Sequence, residues 1–203
     1  MKTNDYVCRK ALPKDSVSAI ARYVHLTDPY IYPTITKDPD DLAWRELIRS
    51  ALAQEDTLFS LSNFSVVLHN GSIVGIACII PCGKRLTLKD KIAIPESLRE
   101  GFAKVDEGYF SPLIEESAAF EGYNITNVCI DEAHRRKGVA SLLLQHCIEE
   151  YGSAALHLDV IADNDAAVCL YKKYGFVIAH TYSGFSGGDH MLPCYHMIRK
   201  PFG

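Results

Sequence analysis

The chain lacks long apolar runs. No segment approaches the roughly 20 consecutive apolar residues that a bilayer-spanning helix needs, although 48% of the 203 residues are hydrophobic. The opening residues, MKTNDYVCRKALPKDS, also lack the apolar stretch of a secretory signal. We therefore expect a cytoplasmic protein with no membrane partner.

A strong excess of either charge is also missing. Lysine and arginine total 21 against 25 aspartate and glutamate residues, and the formal net charge is −4. A protein that binds nucleic acid over a broad surface usually carries a clear positive excess. We therefore expect no nucleic-acid partner, although local basic clusters remain compatible with this balance.

The seven cysteines do not form a disulfide pattern. Their number is odd, and most lie inside apolar segments, which favours buried thiols in a reducing cytosol. His190, Cys194 and His196 invite a zinc interpretation, but their spacing matches no familiar metal motif. The expected site therefore contains no metal.

The first half of the chain predicts two helices and a hairpin. Apolar spacing predicts a helix over 14–26, capped by Asp15 or Ser16, and another over 40–54. The apolar stripe of the second helix comprises Leu42, Leu47, Ile48 and Leu52. Asn70-Gly71 between two β-rich runs predicts a type I′ hairpin over 64–80.

The second half alternates between strands and helices. Strands are predicted over 123–130, 155–162, 176–182 and 194–200, and helices near 112–120 and over 137–152 and 164–175. Gly152 is the expected C-cap of the helix over 137–152, and residues 183–190 are interpreted as a flexible loop. Without a repeat or linker, the prediction is a single domain over 1–203.

Residues 131–145, DEAHRRKGVASLLLQ, combine three cations and a glycine where a helix begins. The first amides of a helix have no intrahelical acceptor, and the helix dipole adds partial positive charge there. A phosphate group is stabilised at such a terminus. This stretch is either a solvated helix start or an anion-binding turn.

The spacing Arg135-x-x-Gly138-x-Ala140 after a strand ending at Ile130 resembles the acyl-CoA pyrophosphate loop of the GNAT superfamily of N-acyltransferases. A second element, LDVIADNDAAVCLYKKYGF, resembles the family's later strand–helix segment, with Asn164 and Tyr171 at the expected offsets. The specific resemblance covers residues 123–181. It implies an α/β (α+β) fold with a mixed, mostly antiparallel central sheet, a splayed strand pair and flanking helices.

The resemblance also implies the site. The backbone of the splayed strand would pair with pantetheine, and the amides of residues 136–141 would hold the pyrophosphate. Asn164 would bond the pantetheine, or simply cap its helix. The implied cofactor-binding residues are Val128, Cys129, Ile130, Arg135, Arg136, Lys137, Gly138, Val139, Ala140, Ser141, Asn164 and Tyr171.

The implied reaction is direct attack of an amine on the thioester of acetyl-CoA. Tyr171 would point at the sulfur and protonate the departing thiolate, because a phenol with a pKa near 10 suits that role. The alternative places Tyr171 in the core beside Phe176. Glu115, Glu116 and Glu121 precede the splayed strand, and the sequence singles out none of them as the base.

We expect an acetyl-CoA-dependent N-acetyltransferase of a small-molecule primary amine. The alternatives are acetylation of a protein or peptide amine and a non-catalytic acyl-CoA-binding sensor module. Residues 81–121 lengthen the compact family pattern, and segments of this length are usually functional or structured. We expect them to be an insertion over the acceptor site. A homodimer is left open.

Overall fold

The computed structural model describes residues 5–55, 57–83, 94–105, 119–186 and 190–201. In these residues one seven-stranded sheet has the order β1-β2-β3-β4-β5-β7-β6. Its strands are β1 (Tyr6–Lys10), β2 (Phe64–His69), β3 (Ser72–Pro81), β4 (Tyr123–Ile130), β5 (Leu156–Ile161), β6 (Val177–Ser186) and β7 (His190–Arg199). The pairing is antiparallel except between β4 and β5, as expected for the mixed sheet.

Helices flank both faces of the sheet. They are α1 (Val17–Thr27), α2 (Ile31–Ile35), α3 (Leu42–Leu52), α4 (Arg99–Val105), α5 (Val139–Tyr151) and α6 (Asp165–Lys173). In the described part of the chain, no helix combines the length and the apolar composition that a bilayer crossing needs.

Two apolar clusters hold the helices against the sheet. Alternation along β3 sends Ile76 to the cluster under α1–α4 and Ala77 to the cluster under α5 and α6. Trp44 is fully buried in the first cluster, and its indole Nε1 donates to the Ala21 carbonyl at 3.0 Å. The described part of the expected insertion joins this cluster through Phe102, and Gly101 of α4 lies close to the backbone of α2.

The predicted hairpin is confirmed. Asn70 and Gly71 connect β2 to β3 with φ angles of 51° and 78°, the positive values that a type I′ turn requires. Ser16 is the confirmed cap of α1, because its side chain accepts from the Ala19 N–H.

We predict that Gly71→Ala lowers the free energy of unfolding by about 1 kcal/mol, because a Cβ is strained at positive φ. The added methyl would meet no atom within 4 Å, so backbone strain alone sets the effect. Gly71→Asn is the matched control, since asparagine tolerates this region better. Urea denaturation measures both, and equal losses would contradict the argument.

Two predictions about these elements were wrong. Leu42 does not belong to the buried stripe of α3: it is 77% exposed, because it directly follows the N-cap Asp41 and points to solvent. Residues 183–190 are not a simple loop, since β6 extends to Ser186 and β7 begins at His190. Gly184 there packs against the Cys194 side chain, since an added Cβ would meet Sγ at 2.5 Å and the thiol would have to shift.

Strands β4 and β5 separate soon after they begin. Their parallel pairing includes only Tyr123 with Leu156 and Asn124 with His157, which confirms the splayed strand pair. On its other side β4 pairs with β3, but the register shifts beside Asn127, whose φ is 50°. The splay leaves the later part of β4 without a strand partner on the β5 side, and the bulge interrupts its pairing with β3.

Candidate active site

A cavity of about 790 Å³ occupies the splay between β4 and β5. Its lining includes the start of α5, the α1–α2 connection and residues of β5, β6 and β7. The start of α5 lies at one end because it follows the end of β4 at Ile130, whereas Asp159 of β5 lies toward the other end, two residues after the β4–β5 pairs at the beginning of β4. Every predicted cofactor-binding residue lines this cavity except Lys137. The fold therefore brings the sequence motifs together around one space.

The turn before α5 has the geometry of an anion site. We call residues 136–141 the amide turn. Gly138 is the N-cap of α5 with φ at 82°, and no side chain caps the helix. The amides of Val139, Ala140 and Ser141 therefore lack helical acceptors. These residues line the cavity, so a phosphate there could accept from several N–H groups at once.

The three cations before the helix differ in placement. Arg135 and Arg136 both line the cavity, and the Arg135 Nε donates to the Ile130 carbonyl at 3.1 Å. The Lys137 ammonium instead donates to the Ala133 carbonyl at 2.7 Å. Of these three cations, the two arginines therefore line the cavity, and the cofactor-binding role of all three stays a prediction.

The wall along β4 offers backbone groups to a ligand. Val128, Cys129 and Ile130 line the cavity where β4 has left β5. Burial raises the pKa of the Cys129 thiol to about 11, so this group is a neutral thiol at physiological pH and not a nucleophile. What this wall can contribute is main-chain hydrogen bonding.

Asn164 and Tyr171 both line the cavity and also make contacts that stabilise the fold. The Asn164 side chain caps α6 by accepting from the Ala167 N–H at 3.2 Å. Tyr171 is 7% exposed and packs 6.0 Å from the Phe176 ring. Burial raises the pKa of Tyr171 to about 12. Its phenol therefore stays protonated across any practical assay range, and it can donate a hydrogen bond into the cavity.

Asn127 ties the β4 bulge to the opposite wall. Its side-chain amide donates to the Thr27 hydroxyl at 2.9 Å and to the Tyr32 hydroxyl at 2.8 Å. Thr27 and Tyr32 line the cavity beside Asp28. The α1–α2 connection is thereby fixed against the strand that would hold the reacting thioester.

The end of the cavity away from the amide turn carries carboxylates. Among the residues that the structure describes, Asp28 and Asp159 are the acidic ones in the lining. Burial raises the pKa of Asp28, although its Oδ1 accepts from the Tyr30 and Ile31 amides at 2.8 Å. Both carboxylates also raise the pKa of the buried Cys194 thiol, after burial itself, so both lie near that side chain. This end favours a cationic ligand, in contrast to the arginine end.

Asp159 begins a buried hydrogen-bond chain that the sequence analysis missed. Asp159 Oδ1 lies 3.0 Å from His196 Nδ1, and His196 Nε2 lies 3.1 Å from His157 Nδ1. His157 Nε2 lies 3.1 Å from the Glu121 carbonyl oxygen. We call these four groups the histidine network. The available signal was alternation, because His157 and Asp159 are two residues apart on one strand and so share a face.

The predicted bases have different outcomes. Glu115 and Glu116 lie outside the described residues, as does most of the helix predicted near 112–120. The Glu121 side chain is exposed and does not line the cavity among the described residues. Its main-chain carbonyl, not its carboxylate, meets the histidine network.

The comparisons with known proteins agree with this geometry. A family model described as "Acetyltransferase (GNAT) family" matches residues 22–176. The ribosomal protein bS18-alanine N-acetyltransferase of Escherichia coli K12 is 32% identical over 97 residues, or 41% of this chain and 66% of that protein. The L-amino acid N-acetyltransferase AaaT of the same strain is 33% identical over 78 residues, or 36% and 48%. The chain thus spans less than two thirds of the length of these relatives.

Solved structures match over nearly the whole chain. An N-acetyltransferase from Staphylococcus aureus Mu50 has a TM-score of 0.70 at 20% identity, covering 95% of this chain and 99% of that one. A further acetyltransferase crystal structure gives 0.64 at 26% identity, covering 97% and 100%. With the family match over residues 22–176, the splayed sheet and the amide turn, the chain belongs to the acetyltransferase (GNAT) family.

Proposed function

We propose that the chain is an acetyl-CoA-dependent N-acetyltransferase that acetylates the primary amine of a small molecule. Residues 1–203 would form one catalytic domain working in the cytoplasm. The observation that carries this proposal is the cavity, which joins the amide turn to the Asp28 and Asp159 carboxylates across the splayed strands. An anionic cofactor and a cationic amine would approach each other from opposite ends.

The cofactor would lie along the splay. Its pyrophosphate would accept from the amides of residues 136–141, with Arg135 and Arg136 adding charge. Pantetheine would bond to the backbone of Val128, Cys129 and Ile130 as a strand does. Asn164 lines the same stretch while capping α6.

The reaction would then depend on positioning and electrostatics. A neutral amine held against the thioester carbonyl attacks it, and holding both reactants in contact supplies much of the rate. A main-chain N–H beside the β4 bulge would stabilise the developing oxyanion. As the C–S bond breaks, the protonated Tyr171 would donate to the departing sulfur.

The charge and walls of the cavity favour a small amine. The hydrogen bonds of Asn127 fix the α1–α2 connection against the cavity. The end of the cavity proposed for the acceptor is lined by the Asp28 and Asp159 carboxylates. A peptide amine is the second candidate, because a matched relative is a ribosomal protein N-acetyltransferase. An acyl-CoA sensor without turnover is a third outcome.

A panel of amines separates these functions. Acetyl-CoA is incubated with small monoamines, diamines, amino acids and short peptides, and released thiol is detected with a dye. We expect turnover with a small cationic amine. Turnover with peptides alone would establish the second candidate, and CoA binding by calorimetry without thiol release from any amine would establish a sensor.

We predict that acetyl-CoA raises the melting temperature of the protein. A ligand that binds only the folded state at 100 times its Kd adds about 2.7 kcal/mol, or roughly 5–10 °C for a chain of this size. Pantetheine, which lacks the pyrophosphate, should protect much less. Equal protection by both at equal concentration would show that the amide turn holds no phosphate.

A further inference from the structure

The histidine network contains three contacts between hydrogen-bonding atoms. They join Asp159 Oδ1 to His196 Nδ1, His196 Nε2 to His157 Nδ1, and His157 Nε2 to the Glu121 carbonyl. The distances are 3.0, 3.1 and 3.1 Å, all within hydrogen-bond range. His157 and His196 are 2% and 5% exposed, so water cannot readily replace a contact that fails.

Each contact needs one hydrogen, and the groups in their ordinary charge states supply too few. A carboxylate and a carbonyl only accept, and a neutral imidazole carries one ring N–H. Two neutral histidines therefore provide two hydrogens for three contacts. In every arrangement of tautomers, one pair of atoms faces each other with no hydrogen between them.

One added proton completes the network. If His196 becomes an imidazolium, its Nδ1–H donates to Asp159 and its Nε2–H donates to His157 Nδ1. His157 then donates from Nε2 to the Glu121 carbonyl. The proton belongs on His196 rather than on His157, because burial lowers the pKa of His157 and Asp159 is the only carboxylate in the network.

We propose that the histidine network is the general base of the proposed acetyltransferase, with Asp159 receiving the proton of the acceptor ammonium and His196 storing it. In this step an N–H bond of the ammonium breaks, and its electron pair stays on the amine nitrogen. The proton forms an O–H bond at Asp159, and this bond breaks as an N–H bond forms at His196 Nδ1. That nitrogen is free to accept when the ring hydrogen of His196 is on Nε2. The neutral amine then attacks the thioester. His157 is a positioning residue: it touches no substrate and sets the number of hydrogens the network lacks.

Aromatic rings, thiols and a second carboxylate surround the network. On β6, the His180 ring stacks at 5.0 Å from the His196 ring. Phe120 stacks on both His157 and His196, at 5.0 and 4.8 Å. The neighbouring thiols, Cys194 on β7 and Cys82 after β3, have raised pKa values through burial and the charge of Asp159, so they remain neutral. Among the described residues, Asp28 is the other carboxylate that lines the cavity, and the charge of Asp163 also acts on the Cys194 thiol.

Two variants give the network enough hydrogens for its contacts without an added proton, each in a different way. Asp159→Asn places an amide N–H where the carboxylate stood, so neutral histidines complete all three contacts without an added proton. His157→Phe removes two contacts, so a neutral His196 satisfies Asp159 with its single Nδ1–H. Neither variant should take up the extra proton as the parent does, and His146→Gln, on α5 outside the network, is the control.

Activity and ring-nitrogen NMR test the proposal together. For the best amine of the panel, Asp159→Asn should lower kcat by roughly a hundredfold to ten-thousandfold. His157→Phe should move the ascending limb of kcat/KM to lower pH by roughly one to two units, the equivalent of one unmade buried hydrogen bond. His146→Gln should leave the limb in place.

The NMR experiment needs no turnover. As the pH falls, His196 of the parent should gain a second ring hydrogen while His157 keeps one. In Asp159→Asn, His196 should not gain it. A parent His196 that never gains it, or a wild-type rate in Asp159→Asn, would overturn the proposal. If His196 gains the second ring hydrogen but no amine is acetylated, the proposed function is wrong, whereas the argument that the network lacks one hydrogen remains valid. If the ascending limb of kcat/KM in His157→Phe lies at the same pH as in the parent, His157 only packs in the core and does not position the network.

Discussion

Gly138→Asp is expected to abolish CoA binding while the protein remains folded. The substitution places a carboxylate at the N-cap of α5, beside the amides of Val139, Ala140 and Ser141 that line the cavity. An aspartate is a good N-cap, because its oxygens accept from the first free amides of a helix. The new side chain would therefore occupy the donors that the pyrophosphate needs and would also repel its charge.

Gly138→Asn is the matched control for charge. Asparagine has nearly the same size as aspartate, and both tolerate the positive φ of this position better than other residues, which is 82° here. Calorimetry should show weakened CoA binding in the asparagine variant and none in the aspartate variant at millimolar CoA. Circular dichroism and the melting temperature establish that both are folded. Normal binding by Gly138→Asp would place the phosphates elsewhere.

The sequence predicted the parts of the fold whose signals are local. Asn70-Gly71 dictates positive φ at two successive positions, which fits few turns other than a type I′ hairpin. Gly138 ahead of a helical apolar pattern fixes where α5 begins, and Ser16 supplies the cap of α1. The family spacing then located the splay, although the splay itself depends on where two strands stop pairing.

The missed parts depend on partners distant in sequence. Strand β1 is short, and it exists because its residues Tyr6 to Lys10 pair with β2, some sixty positions later. The end of β6 contains Ser183, Gly184 and Ser186, which favour a loop locally, but pairing with β7 makes it a strand. The β6–β7 pairing also brings Gly184 against Cys194, and no local sequence pattern predicts this contact.

The histidine network shows the same limit for function. His157 and Asp159 share a face of β5 by alternation, which the sequence does reveal. The third member, His196, reaches Asp159 only because β7 inserts between β5 and β6. A site can be predicted from a sequence motif when its residues are neighbours in sequence, as in the amide turn. The acceptor end is assembled from the α1–α2 connection and three separate strands, so no single motif marks it.

Tyr171→Phe is expected to lower kcat with a good amine by roughly tenfold to a thousandfold, as befits the loss of a proton donor. The Kd for CoA should change little, because the ring still packs beside Phe176 and only the hydroxyl is removed. Since burial raises the pKa of Tyr171 to about 12 and an unfolded tyrosine has a pKa of about 10, the phenol is neutral in both states below about pH 9. The substitution should therefore leave the pH dependence of stability unchanged over that range.

The decisive comparison is kcat at saturating acetyl-CoA together with the CoA Kd, for the variant and the parent. A tyrosine that only fills the core predicts the opposite pattern, with a small change in stability and a nearly normal rate. Phe176→Leu is the matched control, because Phe176 is 1% exposed and lies outside the cavity lining: it should reduce stability more than Tyr171→Phe and kcat less. A parental kcat in Tyr171→Phe would mean that solvent protonates the leaving thiolate, and Tyr171 would then belong to the core alone.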